Sequence, residues 1–522
     1  MIGVLFAGPH AQAGYIVASA MRRSFSCGLV RCLPRSALTS GDVSTLVLVD
    51  VPDQWGAEVL TWLQQAPRKL MVVGRMPSAL AAHLGWSACT WPDELAVASQ
   101  SEPAPSHQVR ASRAAVCYGS AAVALGSTTA ERPFERFDFT DEWNNLGFGA
   151  IRTDGSCWSL AQSLSAGRDE LAAVEIDGRW CGSYAALASV GAASVLWFNR
   201  AVGPCDSYEW RIVENFFSGH CAGLLPCHPV LREIPWGYDA AVTSRLDCDE
   251  DVESARPLWE AYRELGVPFT LAVHTTNLRD AKHHGILREL LADGGAVLSH
   301  TATHAPNWGG SYEAAFEEGR LSAAALHEVT GHPVRYAVSP FHQSPPYALR
   351  ALSDAGYSGC IGGIIRNDPE FLLARGGTLA DLPVGFVGHS QQCMLHGDCL
   401  LGEGDPLAIF KQAFDTAFQT ATLFGYLDHP FSERYAYGWS DEGTRIAVHR
   451  ELVRYIRARA NRPLFLHEEA AMDFLLYRSQ ASFHDTPEGF VGMSLGTAPF
   501  GLCLGVEFRG QSFPFTAGEV LR

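Results

Sequence analysis

The sequence lacks three features that would each have indicated a class of protein. Its 14 cysteines include no Cys-x-x-Cys pair, which argues against a zinc ribbon or a thioredoxin-like motif. No apolar run reaches the length of about 18 residues that a membrane-spanning helix needs. Lys and Arg form no extended run either, so electrostatic attachment to an anionic membrane surface is not expected.

Positively charged residues are also fewer than negatively charged ones. The chain has 39 Lys and Arg against 56 Asp and Glu, which gives a net charge of −17 at pH 7. A surface of this sign repels phosphate backbones and long anionic polymers, so nucleic acid is not an expected partner. The 522 residues, of which 47% are hydrophobic and 18% charged, are typical of a globular protein with about two to four domains.

No export signal is expected in the first residues. The apolar run Met1–Phe6 is short, no basic residue precedes it, and no small-residue cleavage site follows it. Without such a signal, the cysteines are expected to be reduced and mostly buried thiols. We therefore expect a cytoplasmic protein.

Residues 1–96 alternate short apolar runs with segments of helical spacing, which predicts a small α/β domain with a parallel sheet. Three of these runs predict strands: Ile2–Phe6, Thr45–Val51 and Lys69–Val73. The turn Ala7–His10 after the first run lacks the G-x-G-x-x-G pattern of a dinucleotide site. An ordinary turn between a strand and a helix is the favoured interpretation.

Residues 97–108 are rich in Ser, Pro and other polar residues, which predicts a linker or an exposed loop. Residues 109–233 read as a mixed α/β region, either separate or part of the first domain, with a hairpin around Asp177-Gly178. The two segments loosely resemble a flavodoxin-like or amidotransferase-like layout. They show no catalytic set, so we expect them to recognise a carrier group or a partner protein.

Residues 234–480 have a regular rhythm of strands and helices, such as the helical pattern Ser311–Thr330 that closes at Gly331. Repeated βα units of this kind predict a (β/α) barrel, complete or distorted. The tail, residues 481–522, has short β runs separated by glycine and predicts a β-rich appendage. The expected fold class is therefore α/β: a distorted barrel, preceded by a smaller α/β region and followed by a short β-rich tail.

Three predicted barrel strands end in residues that could bind a metal, and barrel enzymes place their chemistry at such strand ends. The segments are Asp247-Cys248-Asp249, His300-Thr301-Ala302-Thr303-His304 and Leu427-Asp428-His429. Two histidines four residues apart share one face if the segment is helical. Two imidazoles and a carboxylate leave an open position on a divalent ion. Alone, each segment has an ordinary alternative, since acids also suit a helix N-terminus and histidines often lie on the surface.

In this order and spacing, the segments resemble the motifs of the polysaccharide deacetylase family (NodB homology, carbohydrate esterase family 4), from roughly Tyr238 to Tyr477. The resemblance implies a metal-dependent amide hydrolase that removes acetyl groups from an N-acetylated saccharide. It implies one divalent ion, zinc before cobalt, manganese or nickel, held by Asp249, His300 and His304. It also implies that Asp247 is the general base and His429 the general acid.

Two parts of the family pattern are altered or missing. Val338-Ser339-Pro340-Phe341 keeps a Pro-aromatic pair but has valine where the family has the arginine that steadies the base. Arg245 or Arg366 could take that place, and the fourth motif has no match. A backbone N–H near Phe341 would hold the oxyanion, and three residues are candidate substrate contacts: Pro340, Phe341 and Trp308. Two alternatives stay open: hydrolysis of another amide or imide on the same fold, and a non-catalytic carbohydrate-binding protein.

Overall fold

The computed structural model describes residues 1–101, 113–135, 149–205, 209–363, 375–432, 435–494 and 496–522. Arg366 and part of the predicted linker 97–108 lie outside these ranges. Within them, every helix is too short or too polar to span a bilayer. All fourteen cysteines lie in the described ranges, and none forms a disulfide.

The elements before residue 232 are, in chain order, β1 (Ile2–Phe6), α1 (Ala11–Leu29), β2 (Val30–Cys32), α2 (Ala37–Ser40), β3 (Thr45–Val49), α3 (Gly56–Gln64), β4 (Lys69–Val73), α4 (Ser78–Leu84), β5 (Ser87–Ala88), α5 (Leu95–Ala98), β6 (Ala114–Tyr118), α6 (Ser120–Ala124), β7 (Glu131–Pro133), β8 (Leu164–Ser165), β9 (Glu170–Ile176), β10 (Arg179–Val190), β11 (Ala193–Phe198), α7 (Trp210–Ser218) and β12 (Val230–Leu231). Nine strands form one sheet in the order β2-β1-β3-β4-β11-β10-β9-β6-β7. Pairing is parallel from β2 to β11 and antiparallel beyond it. Residues on both sides of the predicted linker therefore share a sheet.

This sheet is buried on both faces. Successive residues of β3 enter different cores, with Val47 and Val49 in one cluster and Leu46 and Leu48 in the other. Side chains of a strand alternate between faces, so a strand that is apolar throughout needs a cover on each side. The hairpin predicted around Asp177-Gly178 is confirmed: β9 pairs with β10, and both turn residues have positive φ, 49° and 75°.

The elements of the second half up to residue 480 are β13 (Ala240–Cys248), α8 (Arg256–Glu264), β14 (Thr270–Val273), α9 (His284–Ala292), β15 (Ala296–Ser299), α10 (Tyr312–Thr330), β16 (Tyr336–Val338), α11 (Pro346–Asp354), β17 (Gly359–Gly363), β18 (Gly377–Thr378), β19 (Val387–Gln391), β20 (Cys393–Met394), α12 (Ala408–Thr420), β21 (Phe424–Asp428), α13 (Glu442–Arg459), β22 (Pro463–Leu466) and α14 (Glu468–Gln480). Their sheet has the order β18-β19-β17-β16-β15-β14-β13-β21-β20, with β22 also paired to β13. Apart from β18, all of these pairings are parallel.

The sheet closes on itself. Only Gln392 separates β19 from β20, and this nearly continuous strand pairs with β17 at one end and with β21 at the other. A closed ring of parallel strands with helical crossovers is a (β/α) barrel, here irregular because strand lengths differ. The helix predicted at Ser311–Thr330 is confirmed as α10: the Ser311 side chain accepts from Ala314 N, and Gly331 ends the helix with φ 75°.

The tail forms β23 (Ala481–Thr486), β24 (Gly489–Ser494), β25 (Gly505–Phe508), β26 (Gln511–Pro514) and β27 (Val520–Leu521). β25 pairs with β12, while β23 lies against α1, where Phe483 N donates to Ser26 Oγ at 3.2 Å. The tail is thus β-rich as predicted, and it packs on elements of the first half of the chain.

A buried ion cluster joins the N-terminal sheet to the barrel. Glu214 of α7 accepts from Arg375 at 2.8 and 2.9 Å, from Arg211 at 2.7 Å and from Ser24 Oγ at 2.7 Å. Burial alone would raise the pKa of Glu214, but the charges of Arg375 and Arg211 outweigh it and lower the pKa to about 2. The two halves are therefore coupled through a charge that is costly to leave unpaired.

Replacing Glu214 with glutamine is expected to lower the free energy of unfolding by about 3–5 kcal/mol, because a buried arginine loses its counter-charge. The folded-state pKa of about 2 lies below the unfolded value of about 4.3. The contribution of Glu214 is therefore complete above about pH 5, is lost progressively as the pH falls, and is absent below about pH 2. Denaturant unfolding at pH 7 and pH 3 measures both effects. Glu58→Gln, which breaks an exposed ion pair with Arg35, is the control and should change the free energy of unfolding little. An equal decrease in the free energy of unfolding in both variants would contradict the coupling of the two halves through Glu214.

Candidate metal centre

The barrel places three of the predicted segments at one edge. Asp247 ends β13 with Cys248, and Asp249 follows; His300 follows β15; His429 follows β21. Because β21, β13, β14 and β15 are parallel neighbours, their carboxyl ends meet. Asp247, Asp249, His300 and His429 line a cavity of about 350 Å³. Eight further residues complete its wall: Glu250, His274, His304, Ser339, Phe341, His342, Tyr435 and Tyr437.

Three side chains converge with the spacing of a metal site. Asp249 Oδ1 lies 3.3 Å from His300 Nε2 and 3.5 Å from His304 Nε2, and the two imidazole nitrogens are 3.0 Å apart. Ligand atoms on a tetrahedral zinc, at bond lengths of about 2.0–2.1 Å, are about 3.3 Å apart. Asp249 Oδ1 is buried and accepts no hydrogen bond from the described residues. An unsatisfied buried carboxylate oxygen between two imidazoles fits a divalent cation.

The two histidines lie on a loop, so the helical placement considered for His300 and His304 is wrong. Thr301 and His304 have φ of 68° and 54°, which turns the chain back and brings the two rings to one point. The loop is held from α10, where Glu318 Oε2 accepts two of its backbone N–H groups at 2.8 and 2.9 Å. His300 Nδ1 lies 3.2 Å from Val338 O, which leaves Nε2 directed at Asp249.

The lack of a proton on the His304 ring at neutral pH favours the binding of a cation there. Burial, with the neighbouring His300, lowers the pKa of His304 to about 4. At neutral pH its ring is therefore the uncharged form, which has a lone pair for a metal.

Asp247 is paired with an arginine that the sequence places on its own strand. Arg245 donates from Nε to Oδ1 at 2.6 Å and from Nη2 to Oδ2 at 3.2 Å, and its Nη1 donates to Glu468 at 3.0 Å. Burial alone would raise the pKa of Asp247, but the charges of Arg245 and His300 lower it to about 2. Asp247 is thus a carboxylate at neutral pH, fixed by a bidentate contact.

His429 contacts two residues that the sequence analysis did not identify. Its Nδ1 lies 2.8 Å from His396 Nε2, and its ring stacks on Tyr437 with centroids 4.1 Å apart. Its Nε2 lies 3.5 Å from Asp249 Oδ2. Burial and the nearby His429 lower the pKa of His396 to about 3, so a neutral His396 can accept the Nδ1–H of His429.

His396, Asp428 and His429 form a second cluster of metal-capable groups, but its carboxylate is already occupied. Asp428 Oδ2 accepts from Arg445 Nε at 2.7 Å and from His449 Nε2 at 3.0 Å. Arg445 also donates to His429 O at 2.6 Å. We interpret this cluster as the network that positions His429.

Comparison with known proteins identifies a family for part of the barrel. Residues 247–360 match the family model described as polysaccharide deacetylase. This part of the barrel is a polysaccharide deacetylase domain. No curated protein matches the chain.

Three solved structures similar to the chain have between 10% and 15% sequence identity to it. A presumed polysaccharide deacetylase from Mycobacterium smegmatis has 15% identity and a TM-score of 0.37, with 46% of this chain and 92% of that one covered. A chitin deacetylase from Colletotrichum lindemuthianum has 14% identity and a TM-score of 0.32, covering 44% and 86%. A family 4 acetyl xylan esterase from Clostridium thermocellum, in complex with a cobalt ion, has 10% identity and a TM-score of 0.30, covering 44% and 89%.

Trp308, a candidate substrate contact in the sequence, lies away from the cavity. Trp308 is fully buried in a core cluster with Leu349 and Leu352, and its Nε1 donates to Gln343 O at 3.0 Å. Because the indole packs inward, it presents no face to the cavity. Pro340 is likewise buried and absent from the cavity wall.

Phe341 is the predicted substrate contact that the structure places at the cavity of the deacetylase domain. Its side chain is 39% exposed, and its ring centroid lies 4.5 Å from that of His304. Tyr435 and Tyr437 provide further aromatic surface on the opposite loop. The aromatic faces at the cavity therefore come from loops after residues 340 and 434.

Proposed function

We propose that the deacetylase domain is a metal-dependent hydrolase that removes acetyl groups from an N-acetylated saccharide, with Zn²⁺ as the resident ion. The observation that carries this proposal is the convergence of Asp249, His300 and His304 around an unsatisfied buried oxygen. These three residues would hold the ion and leave a coordination position open for substrate. When bound, Zn²⁺ would supply Lewis acidity toward the acetyl carbonyl and toward water.

The chain's own residues supply the proton transfers. Asp247 lines the cavity as a carboxylate and accepts a proton from the attacking water, while Arg245 keeps its two oxygens in place. In this proposal, a backbone N–H near Phe341 donates to the developing oxyanion. His429 donates a proton to the leaving amine, held in position by His396 and Tyr437.

The cavity wall favours a sugar over a small aliphatic amide. Phe341, Tyr435 and Tyr437 offer aromatic faces, which pack well on the apolar face of a pyranose ring. A volume of about 350 Å³ lies at the lower end of the range for small-molecule sites, which suits one N-acetylated residue in the cavity at a time.

The contact between Arg245 and Asp247 opposes the non-catalytic alternative. The missing motif arginine was the main reason to expect a protein that only binds carbohydrate. A guanidinium from β13 makes a bidentate contact with the same carboxylate, so the base retains a charged partner.

Acetate release tests the proposed function. The full chain, loaded with Zn²⁺, is incubated with an oligomer of N-acetylglucosamine, an O-acetylated xylan oligomer and a non-sugar acetamide. We expect acetate from the N-acetylated sugar at the highest kcat/KM, with activity lost on chelation and restored by Zn²⁺. Tight sugar binding without any acetate release would contradict the proposal, and preference for the non-sugar amide would contradict its substrate class.

Replacing His429 with alanine is expected to lower kcat by about 10²–10⁴-fold, because the leaving amine loses its proton donor. His396→Ala should lower kcat by a smaller factor at unchanged KM, since His396 only positions His429. His396→Gln, whose side-chain oxygen can also accept the Nδ1–H, should recover part of that loss. Steady-state kinetics with metal analysis measures these effects; full activity in His429→Ala would remove it from the mechanism.

We also propose that the parallel half of the N-terminal sheet is flavodoxin-like and that the protein works in the cytoplasm on a soluble or carrier-linked saccharide. The parallel order β2-β1-β3-β4-β11 supports the first point, because it is the strand order of that fold. The fourteen cysteines, none of which forms a disulfide and many of which are buried as small apolar side chains, support the second. Cell fractionation tests the location, and recovery outside the cytoplasm with oxidised cysteines would contradict it.

A further inference from the structure

A larger cavity, of about 750 Å³, lies in the N-terminal sheet and shares no lining residue with the deacetylase site. We refer to it as the N-terminal cavity. It lies at the carboxyl ends of three parallel strands: His10 follows β1, Asp50 follows β3, and Arg75 follows β4. The chain goes from β1 to β2 on one side and then to β3 on the other, and ligands of open α/β sheets bind where the strand order reverses in this way.

One carboxylate organises the wall of the N-terminal cavity. Asp50 is 8% exposed and accepts from Arg75 through Nε at 2.9 Å, Nη2 at 3.3 Å and the backbone N at 3.1 Å. His10 Nδ1 lies 3.0 Å from Oδ2, the oxygen that also accepts from Arg75 Nη2. Within the described residues, His10 Nε2 and Arg75 Nη1 make no hydrogen bond. The side chains of His10 and Arg75 are 29% and 54% exposed. Arg75 can therefore donate to a ligand, and His10, as the imidazolium whose Nδ1–H faces Asp50, can donate through Nε2.

The backbone holds this cluster in an unusual conformation. Asp50 has a positive φ of 40°, and Gly74, beside it on the next strand end, has φ 88°. A Cβ at position 74 would lie 2.9 Å from Asp50 Cβ, so a side chain there would displace the carboxylate. Non-glycine residues in the left-handed region cost free energy and concentrate at binding and catalytic sites.

We propose that the N-terminal cavity binds a sugar-sized ligand through an oxyanion, a phosphate or a carboxylate, held by Arg75 and His10. A guanidinium matches the geometry of both groups. Asp50 is neutralised by Arg75, and the first turn of α1, whose Gln12 and Ala13 also line the cavity, contains no acidic residue. The volume suits a ligand the size of a monosaccharide or disaccharide. The proposal is independent of the activity of the deacetylase domain.

Calorimetric titration of the full chain tests this proposal with three probes: glucose 6-phosphate, glucuronate and glucose. We expect a charged probe to bind and glucose to bind at least about tenfold more weakly, because a charge-assisted hydrogen bond accounts for that factor or more. Tighter binding of glucose 6-phosphate would identify a phosphate ligand, and tighter binding of glucuronate a carboxylate ligand. Arg75→Ala should weaken the binding of the charged probe at least about tenfold.

Arg35→Ala is the matched control, because Arg35 forms an exposed ion pair with Glu58 in the same half of the chain but does not line the cavity. It should keep the wild-type affinity. His10→Ala is a second variant, in which Asp50 and Arg75 keep their contact. It should also weaken the binding of the charged probe, and it tests the proposal even if Arg75→Ala does not fold. Absence of binding by both charged probes, equal binding of glucose, or wild-type affinity in Arg75→Ala or His10→Ala would overturn the proposal.

Discussion

Replacing His300 with alanine, or Asp249 with asparagine, is expected to abolish stoichiometric binding of a divalent metal and, with it, acetate release. Each change removes one of three protein ligands. Loss of His300 also removes the ring that lies 3.0 Å from His304 Nε2, so the remaining pair no longer encloses a site. Asparagine at 249 keeps the shape of the side chain but not its charge, which separates an electrostatic effect from a packing effect.

Metal content of the purified variants, measured by elemental analysis after dialysis against a weak chelator, checks this expectation. His332→Ala and Asp293→Asn are matched controls, because both residues are exposed and lie outside the cavity. The controls should retain one metal per chain. Full occupancy in His300→Ala and Asp249→Asn would show that the ion is bound elsewhere.

Replacing Asp247 with asparagine is expected to leave the metal in place and to lower kcat by about 10²–10⁴-fold, the usual contribution of a general base. Asp247 belongs to the cavity wall but not to the three-residue metal cluster. Its carboxylate is held by Arg245, so the variant also leaves a buried guanidinium without a counter-charge. A loss of stability is therefore expected alongside the loss of turnover.

Kinetics, metal content and thermal unfolding of the same preparation distinguish these effects. Arg245→Lys is a useful companion, because lysine keeps a positive charge but cannot make the bidentate contact; an intermediate kcat with full metal content is expected. If Asp247→Asn lost the metal while Asp249→Asn retained it, the roles of the two aspartates would be reversed.

The sequence predicts the site well wherever a functional residue follows a strand. Asp249, His300 and His429 could be predicted to meet because parallel strands of a barrel end at one edge. The contact of Arg245 with Asp247 could also be predicted, because residues two apart on a strand share a face. The spacing from Arg245 to Asp247 is the signal that favours it over more distant arginines.

The rest of the site depends on contacts that no local pattern encodes. His396 reaches His429 because β20 pairs with β21 to close the barrel, and Tyr437 stacks on the same ring from a separate loop. Neither residue lies in a recognisable motif. Trp308 is the opposite case, a residue that the sequence placed at the site but the structure does not. It is near the metal loop in sequence, but proximity along the chain does not decide whether an indole faces a cavity or the core.

In the N-terminal sheet, too, long-range contacts could not be predicted from local sequence patterns. Individual strands and the β9–β10 hairpin follow from alternating apolar residues and an Asp-Gly turn. The pairing of β4 with β11 joins residues on either side of the predicted linker, and long-range pairing of this kind is set by tertiary packing. The His10–Asp50–Arg75 cluster arises only after three strand ends have been brought together.

Anomalous scattering from a crystal of the zinc-loaded full chain tests the central claim most directly. Data collected above and below the zinc absorption edge locate the ion without reference to activity. The predicted result is one peak within bonding distance of Asp249, His300 Nε2 and His304 Nε2. A zinc peak between His396, Asp428 and His429, with none at the first three residues, would contradict the account.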